Sequence, residues 1–293
     1  MALKILLQVM NSIYMKKRKY YSERTGLVDH SVDLKHLKRL FISSYETLQD
    51  KGFFQEYFGY WCVDAGVVHG KLSGDIDSVI YRNIRKDNLW PIKEKIESYK
   101  EDDLFDMIEF LHDYVSEPLS GQYHSYDNCG YHYNKFKQDS GQVIYRTDIN
   151  NLLAEYMDGY EINENGEIVS KIEPGFEKLF EAGLPGEDVE NVTRKVERAA
   201  LKYRRYGSSL EERREAIRDL ADVLEYLKPQ VKSVLESKQD DSELFNIANN
   251  FAIRHHNKQQ KNNYNKAIWY SWMFYFYLAS IHAFSRLIEK NKK

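Results

Sequence analysis

The stretch SLEERREAIRDLADVLEYLKP, residues 209–229, decides the fold class because its apolar positions recur with the period of an α-helix. Ser209 is a preferred N-cap residue, and Glu212 follows it at the spacing of a capping box. Pro229 predicts the end of the helix, because proline lacks the backbone N–H that the next turn needs. The apolar side of this helix consists of Ile217, Leu220, Ala221, Leu224 and Leu227.

Two further predicted helices flank this one. The earlier helix starts near Asp188, and the later one runs from about Tyr264 to Glu289 and is rich in aromatic residues. Residues 267–285 carry no formal charge, but the hydroxyl groups along them favour a helix buried between other helices over a membrane span. We therefore predict a helical bundle over residues 186–293.

The part of the chain before the bundle should form two further regions. An Asn165-Gly166 pair between alternating residues predicts a tight surface hairpin inside a small α+β domain, residues 96–185. Residues 1–95 are predicted to be a helical N-terminal region. The predicted fold class is mainly α, with a C-terminal helical bundle preceded by a mixed α+β middle domain and a helical N-terminal region.

The composition indicates a globular chain with no overall preference for nucleic acid. Among 293 residues, 42% are hydrophobic and the formal net charge is −3, so binding to a polyanion would have to use local patches. Cys62 and Cys129 are far apart in sequence, so no disulfide ladder is predicted and the reducing cytoplasm is the expected location. We expect no membrane association.

A polar insert between two apolar helices contains Arg254, His255 and His256 in succession. Histidine can give and take a proton near neutral pH, and a guanidinium group binds phosphate. Together they suit RNA cleavage without a metal ion or cofactor, since the ribose 2′-hydroxyl attacks its own phosphodiester. The alternative is that His255 and His256 cap helix ends or bind buried carbonyl groups.

Residues 186–293 resemble the HEPN superfamily of bacterial toxin and abortive-infection proteins. The resemblance rests on the helical order, on the segment Phe251-Ala252-Ile253-Arg254-His255-His256-Asn257 and on the aromatic closing helix. It implies a dimeric, metal-independent ribonuclease in which Arg254 and His255 occupy the first two positions of the family motif. The later histidine of that motif would fall near Gln259, Gln260 or Lys261. Either His255 or His256 takes its role, or the domain binds RNA without cutting it.

The resemblance extends to the preceding part of the chain. Residues 124–132 and 160–169 are similar to segments that precede such domains in abortive-infection proteins. We therefore expect an RNA-cleaving or RNA-binding protein of bacterial defence or toxin type, paired as a homodimer through its C-terminal helices. The alternative is a non-catalytic dimeric sensor or interaction protein in an abortive-infection system.

A basic stripe is predicted to contact RNA together with Asn257 and Lys258. Its residues repeat every three to four positions, so one helix face would carry several cations; they are Arg194, Arg198, Lys202 and Arg205. Glutamates lie close to the stripe in sequence, which favours a solvated, salt-bridged face as the alternative.

Two groups of residues resemble metal sites only in part, and the sequence predicts no metal ion. The stretch around residues 124–132 supplies side-chain types that bind zinc, namely His124, Asp127, Cys129 and His132. Their spacing matches no established finger pattern, and the interleaved tyrosines favour a hydrogen-bonded loop. Glu109-x-x-His112 lacks the second half of a di-iron motif. His282, farther along the chain, is predicted to be a core histidine.

Overall fold

A computed structural model describes residues 20–25, 32–173, 175–186, 188–234 and 265–292 of the chain. Within these residues the fold is mainly helical, with three antiparallel two-stranded sheets. The predicted Arg254, His255, His256, Asn257 and Lys258 lie outside the described residues. None of the described helices combines the length and the apolar character that crossing a bilayer requires.

The helices are named in chain order. They are α1 (Tyr21–Arg24), α2 (Leu34–Asp50), α3 (Gln55–Phe58), α4 (Ile76–Ile84), α5 (Ile92–Lys95), α6 (Glu101–Asp113), α7 (Gln138–Leu153), α8 (Glu177–Glu181), α9 (Arg194–Arg204), α10 (Leu210–Val234) and α11 (Lys266–Asn291). The strands form consecutive hairpins: β1 (Tyr60–Cys62) with β2 (Gly66–Val68), β3 (Glu117–His124) with β4 (Gly130–Lys137), and β5 (Tyr160–Ile162) with β6 (Ile168–Ser170).

The first buried core joins α2, α6 and α7. Helix α2 begins at Leu34 because the Asp33 carboxylate accepts a hydrogen bond from the backbone N–H of His36 at 2.8 Å. Tyr145 on α7 is fully buried, and its hydroxyl donates to the carbonyl of Ile108 on α6 at 2.9 Å. Apolar residues from Leu37 to Ile168 form a single cluster, so the packing continues across the predicted division at residue 95.

The hairpin predicted around Asn165-Gly166 is present as β5–β6. Its loop closes through Asn163, whose N–H donates to the Glu167 carbonyl at 2.9 Å, and Gly166 adopts a positive φ of 85°. The sequence predicts a surface hairpin, but this hairpin packs against the core: Ile162, Ile168 and Val169 are buried. The backbone N–H of Ile168 donates to Glu109 Oε1 on α6 at 2.7 Å, which fastens the hairpin to the core.

The second buried core belongs to α9, α10 and α11. The predicted capping box is confirmed: the N–H of Ser209 donates to Glu212 Oε2 at 2.8 Å, and the N–H of Glu212 donates to Ser209 Oγ at 3.2 Å. The predicted end at Pro229 is wrong, since α10 continues to Val234. Val231, beyond the proline, is buried in this core, so packing on both sides of Pro229 outweighs the lost hydrogen bond.

The first helical turn of the bundle begins next to Asp188, as predicted. Asp188 caps a π-helical turn, Val189–Thr193, which precedes α9. Residues on either side of α8, including Ile172 and Leu184, already pack against the second core. The change from one core to the other therefore comes before residue 186.

We expect Glu109→Gln to raise the melting temperature at neutral pH. Burial raises the pKa of Glu109, with the carboxylates of Asp106 and Glu167 acting in the same direction while the Ile168 N–H opposes them. The folded state therefore disfavours the ionised carboxylate, and a neutral amide oxygen can still accept the Ile168 hydrogen bond.

The gain should shrink as the pH falls through the raised pKa, because the native carboxyl group then becomes protonated and neutral as well. Thermal unfolding from pH 4 to pH 8 measures it, with Glu164→Gln on the exposed hairpin loop as the matched control. An equal gain at every pH would contradict the assignment.

Candidate metal centre

Two hairpins bring four side chains with metal-binding atoms together: Cys62, His124, Cys129 and His132. One ligand atom from each lies within 4.8 Å of all the others. Cys62 ends β1, His124 ends β3, His132 lies on β4, and Cys129 lies in the connection between β3 and β4. This is the one such cluster found among the described residues.

The β1–β2 hairpin turns Cys62 inward. Strand alternation gives neighbouring residues opposite faces, so Cys62 is buried while Trp61 is exposed. Cys62 pairs with Gly66, whose positive φ of 69° closes the short turn. The turn places Asp64 beside the cluster.

The β3–β4 connection bends back so that Cys129 reaches β1. Asp127, Asn128 and Gly130 have positive φ values of 50°, 56° and 86°. Asp, Asn and Gly tolerate this left-handed backbone better than other residues do. The predicted loop is present between His124 and Gly130, and it positions Cys129. Asp127 itself is exposed and belongs to the turn rather than to the cluster.

One ligand–ligand distance already has the value that a small tetrahedral ion requires. Zinc–ligand bonds of about 2.0–2.3 Å imply ligand–ligand separations of roughly 3.3–3.8 Å. Cys62 Sγ and His124 Nδ1 are 3.7 Å apart. The N–H of Val63 points at Cys129 Sγ at 3.4 Å, which favours a negatively charged sulfur. Small side-chain movements would bring the remaining atoms to bonding distance.

Each histidine has one ring nitrogen that is available to a metal ion. His124 Nε2 lies 3.2 Å from Asp64 Oδ2, which favours the proton on Nε2 and exposes the Nδ1 lone pair to Cys62. The ring of His132 stacks on Tyr60 with centroids 4.4 Å apart. His132 Nε2 is buried without a hydrogen-bond partner in the described structure, a situation that costs about 1–3 kcal/mol unless something binds it.

The Cys129 thiol is protonated in the metal-free protein at neutral pH. Burial raises the pKa of the Cys129 thiol, the Cys62 thiol raises it further, and the Val63 N–H opposes both effects. A bound cation reverses this preference because it coordinates the thiolate form, so metal binding should release protons.

The other residues considered as possible ligands or site histidines have structural roles. His112 is buried, and Arg146 donates to its Nε2 at 3.0 Å, whereas Glu109 accepts from the β5–β6 hairpin. These two residues therefore do not share a metal site. His282 is a buried core residue, as expected, and burial and then Arg286 lower its pKa, so it is neutral at pH 7.

The basic stripe is only partly available to a phosphate backbone. Arg194 pairs with Glu190, and Lys202 pairs with Asp219 on α10. Arg198 and Arg205 are exposed. Half of the predicted stripe is therefore a salt-bridged face, as the alternative interpretation held.

Sequence reasoning missed Cys62, because no strand was predicted before residue 95. The available signal was that Cys62 and Cys129 are the two cysteines of the chain. Their separation argued against pairing, but the hairpins remove that separation in space.

Comparison with protein-family models, with curated proteins and with solved structures gave no match to this chain.

We expect Asp64→Asn to weaken zinc binding about tenfold, the lower end of the effect of removing a carboxylate behind a metal-bound histidine. The lower end applies because the Asp64 side chain is 71% exposed. Competition with a chromophoric chelator measures the affinity. Asp127→Asn is the matched control, since asparagine tolerates the same backbone conformation. Equal affinities for both variants would remove Asp64 from the site.

Proposed function

We propose that the protein binds a zinc ion through Cys62, His124, Cys129 and His132, and that this ion cross-links the β1–β2 and β3–β4 hairpins. The observation that carries the proposal is the convergence of these four side chains from segments more than sixty residues apart. It replaces the sequence-based expectation of a metal-free loop.

The donor set selects the metal and its role. Two sulfur and two imidazole ligands in a tetrahedral arrangement are characteristic of zinc. Four protein ligands leave no open position for a reacting water molecule, which is the arrangement of a structural rather than a catalytic ion. Asp64 and Tyr60 fix the orientation of the two imidazole rings.

The hairpins need such a cross-link because they lack a core of their own. In the described structure no residue of β1–β4 belongs to either buried apolar cluster. Isolated two-stranded hairpins are marginally stable in water. Because the site cannot exist in the unfolded chain, the free energy of metal binding adds to the free energy of folding.

Metal analysis of the purified full chain tests the proposal. We expect about one zinc ion per chain, with four protein ligands, and loss of that ion in Cys129→Ser and in His132→Ala. A chelator should lower the melting temperature of the wild type because it removes the cross-link.

The matched control is His69→Ala, which replaces an exposed histidine close to β2 and outside the cluster. It should keep its zinc. A chain that binds no zinc, or one in which Cys62 and Cys129 form a disulfide under reducing purification, would contradict the proposal.

We also propose that the C-terminal bundle acts on RNA through Arg254, His255 and His256, by cleavage or by binding. The support is the sequence motif, its resemblance to the HEPN superfamily, and a helical order that places α11 after the motif. At the start of α11, Ile268 and Trp272 are exposed, which suits pairing of two chains. A non-catalytic dimeric sensor is the alternative.

RNA cleavage by the zinc-loaded chain, without added metal ions, distinguishes the two. A chelator is unsuitable here because it would also remove the proposed structural zinc. We expect His255→Ala/His256→Ala to lower the cleavage rate by about 10²–10⁴-fold, the typical contribution of acid–base catalysis. The exposed His36 provides a control substitution to alanine.

Cleavage that the double substitution leaves unchanged would refute the catalytic assignment. RNA that the wild type binds without cleaving would leave binding as the role of the bundle, and absence of both cleavage and binding would favour the sensor.

A further inference from the structure

The β3–β4 hairpin has a second face, opposite the metal centre. Alternation along the strands places His124 and His132 on one face and the aromatic residues Tyr123, Tyr131 and Tyr133 on the other. We call these three residues the tyrosine face. Tyr123 and Tyr131 are direct cross-strand partners.

The three rings form a continuous surface that remains open to solvent. The ring centroids of Tyr123 and Tyr131 are 5.1 Å apart, and those of Tyr131 and Tyr133 are 5.5 Å apart with an interplanar angle of 16°. Tyr123 is 61% exposed and Tyr131 is 52% exposed. Such exposure of neighbouring aromatic rings indicates a binding surface rather than a piece of core.

The tyrosine face is held in place before any partner arrives. The Tyr133 ring lies against Gly52, where an added Cβ would be 2.5 Å from the ring, and Tyr133 pairs across the hairpin with Gly121. Gln55 on α3 donates to the Tyr131 carbonyl at 2.9 Å and accepts from the Tyr133 N–H at 3.0 Å. A surface fixed in this way loses little conformational entropy on binding.

Positive charge borders the tyrosine face. Lys135 comes two residues after Tyr133 on β4, so the two side chains lie on the same face of the strand. Lys51 comes directly before Gly52, against which the Tyr133 ring lies. Both lysines are exposed, and neither forms an ion pair with a described residue. Exposed cations beside planar rings match a ligand that combines phosphate groups with flat bases.

We propose that the tyrosine face binds single-stranded RNA, with bases stacked on Tyr123 and Tyr131 and with phosphates near Lys51 and Lys135. A single strand is required because only unpaired bases can present their flat faces to the rings. Stacking accepts every base, so the surface should show little sequence preference. The inference rests on the proposed zinc centre in one respect: the ion would fix the hairpin from its opposite face.

The probe is a fluorescein-labelled oligouridylate of about ten nucleotides, a length within the range that single-strand-binding domains occupy. Fluorescence anisotropy is measured on the zinc-loaded full chain with Arg254, His255 and His256 replaced by alanine. This background removes cleavage, and the tyrosine variants made in it show how much of the remaining binding belongs to the tyrosine face.

Tyr123→Ala and Tyr131→Ala should each weaken binding about tenfold, within the range of lost base stacking. Tyr131→Phe should keep the affinity, because stacking needs the ring and not the hydroxyl. Tyr81→Ala is the matched control, since Tyr81 is exposed on α4 away from this face. Lys135→Gln should reduce the slope of log affinity against log salt by about one.

Zinc content and melting temperature are measured for every variant. If the alanine variants keep their zinc and bind the oligonucleotide as tightly as the parent, the inference is overturned while the zinc proposal stands. Equal affinity for a duplex of the same length also overturns it. If the folded parent holds no zinc, the zinc proposal fails, and the tyrosine variants still decide the RNA surface through the same titration.

Discussion

The constraint on which this structure depends is that two short hairpins must be held in a fixed relation without a buried core of their own. Among the residues that the structure describes, strands β1 to β4 contribute none to either apolar cluster, so hydrophobic burial contributes little to their positions. What converges between them is a set of sulfur and nitrogen atoms, together with Gln55 on the edge of β4. Polar contacts therefore hold these two hairpins, whereas apolar packing holds the two cores of the described chain.

Strand alternation gives one hairpin two chemically different faces. His124 and His132 face β1, and the neighbouring tyrosines face solvent, because a pleated strand turns each successive side chain to the other side. A register shift of one residue would exchange the two sets and destroy both surfaces. The proposed ion and the proposed RNA surface therefore depend on the same cross-strand pairing.

Charge pairing decides which basic side chains of this slightly acidic chain are available to bind a polyanion such as RNA. On the predicted basic stripe, Glu190 and Asp219 neutralise Arg194 and Lys202. Around the tyrosine face the lysines lack such partners among the described residues. Counting basic residues along a helix could not separate these cases, since Asp219 comes from a different helix than the lysine it binds.

The sequence alone determined the features that depend on residues a few positions apart. The capping box at Ser209, the hairpin at Gly166 and the helical character of the bundle follow from local hydrogen bonds and from side-chain periodicity. Only the tertiary structure decided that α10 continues through Pro229 and that Cys62 meets Cys129. Both outcomes depend on contacts between distant segments, whose free energy no short stretch of sequence records.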